Sequence, residues 1–513
     1  MQRSITKSTT VVFILTTISS ILGFVRESYI AFLFGATGLT DAFYIALIFP
    51  DTIVGLIQSA LTYSLVPVLK AERRKDDKSA STLIYVILLL SMVIFTIMTI
   101  IAFLFRNPLV SLFSPGFSKR EHLIAVQLLS VMIVGVVFTG ISGVLSGVNN
   151  AFEEFTFPAA VGVVYNVILI STSIILAPVL GIRSLAFGFL IGVFGKLIIQ
   201  FVPVIRYRYL SKRQSIWHPS VPTVARLMPP ILISSGLGTI NLIIDRVLAS
   251  GLPNGYISDL TYASKIGLMP AILVGGSLAT TLYNQFVSNI LDNNFVQLQK
   301  NLVKATTWVV FISIVIGGIF ILFSSDIIYL LFRHGAFTLK DVAITATPLI
   351  IYGVFQPFYI LIPILDRVFY AAKKNRSVMM RSLLAVGVNI LVSVLTVHRL
   401  GIKGLVLGNG LAQVVAVVML CTAIFKWTRI SYVRIMLQAF RRGGIPGILV
   451  FCSFGASLCI TRTWGEGSLK LLVFQGMIAL GFGVLFLTIY TFVDGKSDIS
   501  IFLRKILGVK RIT

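Results

Sequence analysis

Two charged pairs stand inside long apolar stretches of this sequence. Arg26 and Glu27 lie in the first stretch, and Asp245 and Arg246 lie in the seventh. An ionised side chain at such depth costs a few kcal/mol or more unless it faces a partner or a water-filled cavity. With Lys265, the two pairs define a polar interior with surplus positive charge. A poorly hydrated cationic cavity favours an anion, and the planar fork of arginine suits phosphate through two parallel hydrogen bonds. The alternative is that Arg26 pairs with Glu27, or with Asp41 at the start of the second stretch, and only locks helices together. Asp245 and Asn389 carry the carboxylate and amide oxygens that a small cation prefers. An Asp-Arg neighbour pair could equally neutralise itself. Lys196, in the sixth stretch, reads as a lumen-facing or snorkelling residue.

The elements that hold these groups follow from composition. The chain has 513 residues, 57% hydrophobic and only 12% charged, against about 25% charged in a soluble domain. Fourteen runs are long enough to cross a bilayer at roughly 20 residues each. They fall at about 9–35, 41–68, 82–104, 122–147, 157–178, 184–205, 223–250, 257–288, 303–324, 343–371, 378–397, 404–425, 445–461 and 470–493. The runs are continuous rather than alternating, which predicts an all-α membrane protein and not a barrel. The first run is too long and too charged for a cleavable signal.

The formal net charge of +25 follows the membrane rather than a nucleic acid. Basic clusters occupy every second gap, as with Lys70, Arg73, Arg74, Lys75 and Lys78, then Lys373, Lys374 and Arg376. The opposite gaps hold single cations such as Arg106 and Arg333. This asymmetry predicts both termini in the cytoplasm. Cys421, Cys452 and Cys459 have no metal or redox spacing.

The sequence also repeats. LFSPGF at 112–117 returns as LFRHGAF at 331–337, Gly181-Ile182-Arg183 returns as Gly401-Ile402-Lys403, and Asp41 with Tyr44 returns as Asp259 with Tyr262. Residues 1–210 and 211–428 are therefore expected to form two pseudo-symmetric lobes of six spans each. Residues 429–444 predict an amphipathic helix on the cytoplasmic surface. Residues 445–513 hold the last two spans and a basic tail. Parallel repeats of this type place a substrate site at the lobe interface.

Enzymes are disfavoured. The four histidines are scattered, no phosphate-cradling glycine loop or metal-ligand cluster occurs, and no nucleotide-binding domain is evident.

Several motifs together resemble the MurJ/MviN family of the MOP exporter superfamily. They are Ile21 to Glu27 (ILGFVRE), Thr40 to Tyr44 (TDAFY), Phe49-Pro50, Leu65 to Pro67, Asn241 to Ser250 (NLIIDRVLAS), Leu331 to Thr338 (LFRHGAFT) and Val368 to Ala371. The resemblance covers essentially the whole chain. It implies a MATE-like fourteen-helix, two-lobed fold and the flipping of lipid II across the bacterial plasma membrane. It further implies a cationic cavity for the diphosphate and a groove for the prenyl tail at spans 13 and 14. Arg26, Glu27 and Asp41 match family positions, and Lys265 falls where an arginine is usual. Ser20 and Val54 stand where the family commonly has arginines.

The expectation is thus an alternating-access flippase for an undecaprenyl-diphosphate-linked glycan, most plausibly lipid II, using Arg26, Glu27, Asp41, Arg246 and Lys265. No cofactor is expected beyond a coupling cation, Na+ or H+, or the membrane potential. Membrane lipids and cell-wall synthesis proteins are the other expected partners. The rival readings are an O-antigen or exopolysaccharide exporter, a MATE-like drug exporter and a non-transporting scaffold for envelope synthesis.

Overall fold

The computed structural model describes residues 2–207, 209 and 215–461. Among them there is no strand. The chain runs through α1 (Gln2–Phe34), α2 (Gly38–Ala46), α3 (Val54–Lys75), α4 (Asp77–Leu104), α5 (Arg106–Phe113), α6 (Lys119–Met132), α7 (Gly135–Ala151), α8 (Thr156–Leu180), α9 (Arg183–Arg206) and α10 (Val221–Ala249). It continues through α11 (Tyr256–Gly267), α12 (Gly276–Leu291), α13 (Phe295–Phe332), α14 (Leu339–Ala371), α15 (Asn375–Leu400), α16 (Ile402–Thr428), α17 (Tyr432–Ala439) and α18 (Ile445–Thr461).

By length and composition, 11 of the described helices can cross a membrane, or up to 13 when two bent pairs each count as one span. One pair is α6 with α7, bent by 47°; the other lies within α10, bent by 48°. The second bend falls between Ile233 and Ser235, just beyond Pro229 and Pro230. The expected fourteenth span, 470–493, and the basic tail lie outside the described residues. Large apolar side chains such as Val179, Ile205 and Ile272 are exposed, as a surface solvated by lipid allows. The protein is a multi-pass membrane protein.

The described chain packs as two compact units. The first holds the residues up to Ser258 together with His334–Phe337; the second holds Asp259–Arg333 and the described residues from Thr338 onward. The first is built on an apolar core that includes Val54, Leu65, Ile84, Val144 and Val148. The second is built on Phe286, Leu302, Ile364, Phe369 and Leu420. By packing, α10 goes with the first unit, because it lies along α3. The repeat had assigned this helix to the second lobe.

The repeat itself is written in the backbone. Gly35 and Gly255, 220 positions apart, both take positive φ, at 66° and 96°. Gly181 and Gly401 share φ values of 55° and 56°, and Glu153 and Lys373 share values of 66° and 56°. Ser118 with Glu121 forms a capping box at α6, and Thr338 with Asp341 forms one at α14. Wide π-helical turns occur at Ile48–Ile53 and Ala271–Gly275. They follow from Pro50 and Pro270, which cannot donate to the helical ladder.

Candidate functional site

The first unit gathers most of the membrane-embedded charge. Gly23 gives α1 a close approach to α8, where an added Cβ would meet Asn166 at 3.7 Å. Arg26 follows about one turn later. Its Nη2 donates to Glu27 Oε1 at 2.6 Å and its Nη1 to Asn166 Oδ1 at 3.1 Å. Asn166 in turn donates to the Ser19 carbonyl at 3.1 Å, so α1 and α8 are tied through one amide. Glu27 is buried, and its other oxygen accepts from the Tyr44 hydroxyl at 2.5 Å. Arg26 therefore pairs with Glu27, as one sequence reading had it, and Asp41 is not its partner.

Arg246 enters from α10. Its Nη1 donates to the Tyr44 carbonyl at 3.0 Å, and its guanidinium lies 5.8 Å from the Tyr44 ring centroid. Lys196 enters from α9 and places its ammonium 3.9 Å from the centre of the Tyr165 ring. The Arg26 guanidinium is 5.6 Å from the same ring. Asp51, exposed beside the π-helical turn, acts electrostatically on Tyr165, Lys196 and Arg246. Three cations and two carboxylates thus share one polar region, and the balance is positive. This arrangement can hold an anion by charge and by donated N–H groups.

Asp41 does different work. It is buried and accepts from the Gly255 N–H at 2.6 Å, the Ser258 N–H at 2.8 Å and the Ser258 hydroxyl at 2.6 Å. The Ala336 N–H donates to the Phe32 carbonyl at 2.8 Å nearby in the chain's turns. Gly116 donates to Ser250 Oγ at 3.3 Å and lies so close to Gly251 that an added Cβ would strike its backbone. The turns at 32–41, 114–118, 250–258 and 334–337 thereby pack together at one end of the first unit.

In the second unit, Lys265 is exposed on α11. Asp366 and Arg381 form a mostly buried ion pair at 2.6 Å, and Arg367 lies 5.5 Å from the Tyr283 ring centroid. Asn389 is buried on α15 and accepts from the Ser393 hydroxyl at 3.1 Å. Asp245 is buried in the first unit, so the candidate cation pair is divided between the two units.

One family position behaves unlike a cavity position. Val54 has no solvent exposure and belongs to the apolar core of its unit. The π-helical turn ending at Ile53 inserts an extra residue, and the helix that follows turns Val54 inward. Ser20, by contrast, is exposed on α1. Sequence reasoning also missed Tyr44, Tyr165 and Asn166. The last two are adjacent polar residues within an apolar run, and that was the available signal.

This architecture is that of the MOP-superfamily exporters. A solved structure titled "Lipid II flippase MurJ, inward closed conformation" superposes with a TM-score of 0.78 at 23% identity, covering 94% of this chain and 98% of that one. An inward-facing multidrug resistance MATE family transporter of the MOP superfamily gives 0.64 at 16% identity, covering 83% and 98%. The sequence model of the family described as lipid II flippase MurJ matches residues 30–475, and the chain belongs to that family. A probable lipid II flippase MurJ of Buchnera aphidicola subsp. Schizaphis graminum is 28% identical over 417 residues, 80% of this chain and 81% of the relative. The lipid II flippase MurJ of Burkholderia cenocepacia is 27% identical over 377 residues, 69% and 71% of the two chains.

Proposed function

We propose that the protein moves lipid II across the bacterial plasma membrane by alternating access, without making or breaking a covalent bond. The observation that carries this reading is the cationic region of the first unit, in a chain whose family is named for lipid II flipping. Arg26, Glu27 and Arg246 belong to that region. The diphosphate enters the cavity while the prenyl chain stays in hydrocarbon, because each buried methylene contributes about 0.8 kcal/mol.

In this reading both termini face the cytoplasm, and the end where these turns pack is the outer one and is sealed. Asp41 holds that end shut by hydrogen bonds. Substrate binding neutralises the cations, and release of the Asp41 contacts lets the headgroup leave outward. The membrane potential, or a Na+ or H+ gradient, resets the cycle. Cell-wall synthesis proteins consume the delivered lipid and are the partners this role implies.

A second reading is export of another prenyl-diphosphate glycan. It is favoured by one observation: exposed Ser20 carries no charge where the family commonly has an arginine. A drug exporter for cationic compounds is disfavoured by the positive balance of the site. The deciding experiment replaces an essential lipid II flippase by this chain in a bacterium. Growth, with lipid II flipping by the purified protein in vesicles, supports the first reading. Absence of lipid II flipping by a preparation that moves a different prenyl-linked glycan rejects it.

A further inference from the structure

We propose that Lys196, held over the face of Tyr165, is the principal phosphate-binding group of the first unit, and that Arg26 is mainly a positioning residue. The identity of the ligand as a prenyl-linked diphosphate rests on the function proposed above; the assignment of the binding group rests on geometry.

Arg26 is already engaged. Glu27 takes one end of its guanidinium at 2.6 Å and Asn166 another at 3.1 Å. Its charge is offset by a buried carboxylate in direct contact. Arg246 spends an N–H on the Tyr44 carbonyl. Lys196 differs from both. It makes no hydrogen bond and no ion pair among the described residues, and its ammonium lies 3.9 Å from the centre of the Tyr165 ring. A ring face attracts an ammonium electrostatically but accepts none of its three N–H bonds. Those donors are available to a ligand.

The position excludes the ordinary escape route of a lysine in a membrane helix. Lys196 lies ten residues before Arg206, the end of α9, which is about 15 Å along the axis. A lysine side chain is too short to carry its charge over that distance to the interface. An ammonium this deep without an anion is unfavourable. The fold nevertheless builds a platform for it. Gly192, one turn before Lys196, sits against Tyr165, where an added Cβ would lie 2.8 Å from Cδ2 of the ring. Phe189, a turn earlier still, meets the same ring edge-on at 6.2 Å between centroids. The face of α9 formed by residues 189, 192 and 196 thus fixes the ring and sets the ammonium above it. Asp51 adds an opposing field without reaching ion-pair distance. An incoming diphosphate completes the site, with Arg26 behind it to hold α1 and α8 in place.

The test is ligand binding by the full-length protein in detergent, with undecaprenyl diphosphate and undecaprenol as probes and thermal unfolding recorded on every variant. Lys196→Met should bind undecaprenyl diphosphate at least tenfold more weakly than wild type, with undecaprenol binding and the unfolding midpoint within error of wild type. Lys196→Arg, which keeps the charge, should recover to within about threefold. Tyr165→Leu, which removes the platform, should weaken diphosphate binding several-fold. Arg26→Gln should lower the unfolding midpoint along with affinity, as a positioning residue must. Lys196→Met binding the diphosphate within twofold of wild type overturns the proposal. So does a loss of undecaprenol binding equal to the loss of diphosphate binding. A wild-type protein that binds undecaprenyl diphosphate through Lys196 but neither binds nor flips lipid II keeps this inference and rejects the proposed function.

Discussion

Glu72 and His218 stand at opposite corners of a closed ring of hydrogen bonds. The Ser79 hydroxyl donates to Glu72 Oε2 at 2.8 Å, and the Ser220 hydroxyl donates to Oε1 at 2.9 Å. The Ser220 N–H donates to His218 Nδ1 at 3.1 Å, and His218 Nε2 meets Ser79 Oγ at 3.0 Å. The single Ser79 proton is committed to Glu72, so His218 Nε2 is the donor to Ser79 Oγ. The ring ties the segment entering α10 to the corner between α3 and α4.

Glu72→Gln places an amide N–H against a donor inside this ring. It should cost about 1–3 kcal/mol, read as a lower unfolding midpoint of the purified protein. Lys75 also contacts Glu72, at 2.9 Å, but is exposed. Lys75→Ala should therefore cost about 0–1 kcal/mol. Equal effects of the two changes would show that the ring contributes nothing of its own.

Asp41→Asn removes the charge from three hydrogen bonds and should loosen the sealed end. Gly116→Ala should do the same by steric means, because its neighbour at 2.6 Å is the Gly251 backbone nitrogen. A cysteine in place of buried Ala36 is the reporter: it should be slow to label in the parent and several-fold faster in either variant. Gly55→Ala is the control, since nothing lies within 4 Å of an added Cβ there. Labelling unaffected by both changes would remove these residues from the gate.

Val54→Arg and Ser20→Arg should behave oppositely. A guanidinium at the fully buried Val54 must be accommodated in an apolar core, so the folded yield should fall sharply. Ser20→Arg adds a donor at an exposed position on α1 and should preserve or raise lipid II flipping at equal expression. Normal folding of Val54→Arg would contradict the inward register after the π-helical turn.

Orientation is open to labelling as well. Cysteines placed at Lys75, Arg213 and Arg441 should react only from the cytoplasmic side, and those at Phe117 and Gly335 only from outside. A clean reversal would invert the direction of transport proposed here.

The apolar runs, the duplicated motifs and the two charged dipeptides were legible because each is a local property of the chain. The partners of Arg26 were not, since Asn166 and Tyr165 arrive from a helix 140 residues away. The role of Asp41 was also hidden, because its three donors are a turn and a helix start more than 200 residues on. The burial of Val54 was hidden as well, because it depends on packing against α4 and α7 beyond the wide turn around Pro50. Lys196 reads from the sequence as lumen-facing or snorkelling, and its place over the Tyr165 ring shows only in the packing of α8 on α9.

The turn at Gly35 and its duplicate at Gly255 have a consequence beyond gating. An added Cβ at Gly255 would strike the Ala36 carbonyl, whereas one at Gly35 would strike the Ala336 carbonyl. The two copies of the turn therefore share a backbone shape but not a neighbour. Their carboxylates have parted in the same way: Asp41 accepts from Gly255 and Ser258, and its counterpart Asp259 accepts from the Thr345 hydroxyl. A duplicated motif has thus become two different joints, and a substitution tolerated at one copy is no guide to the other.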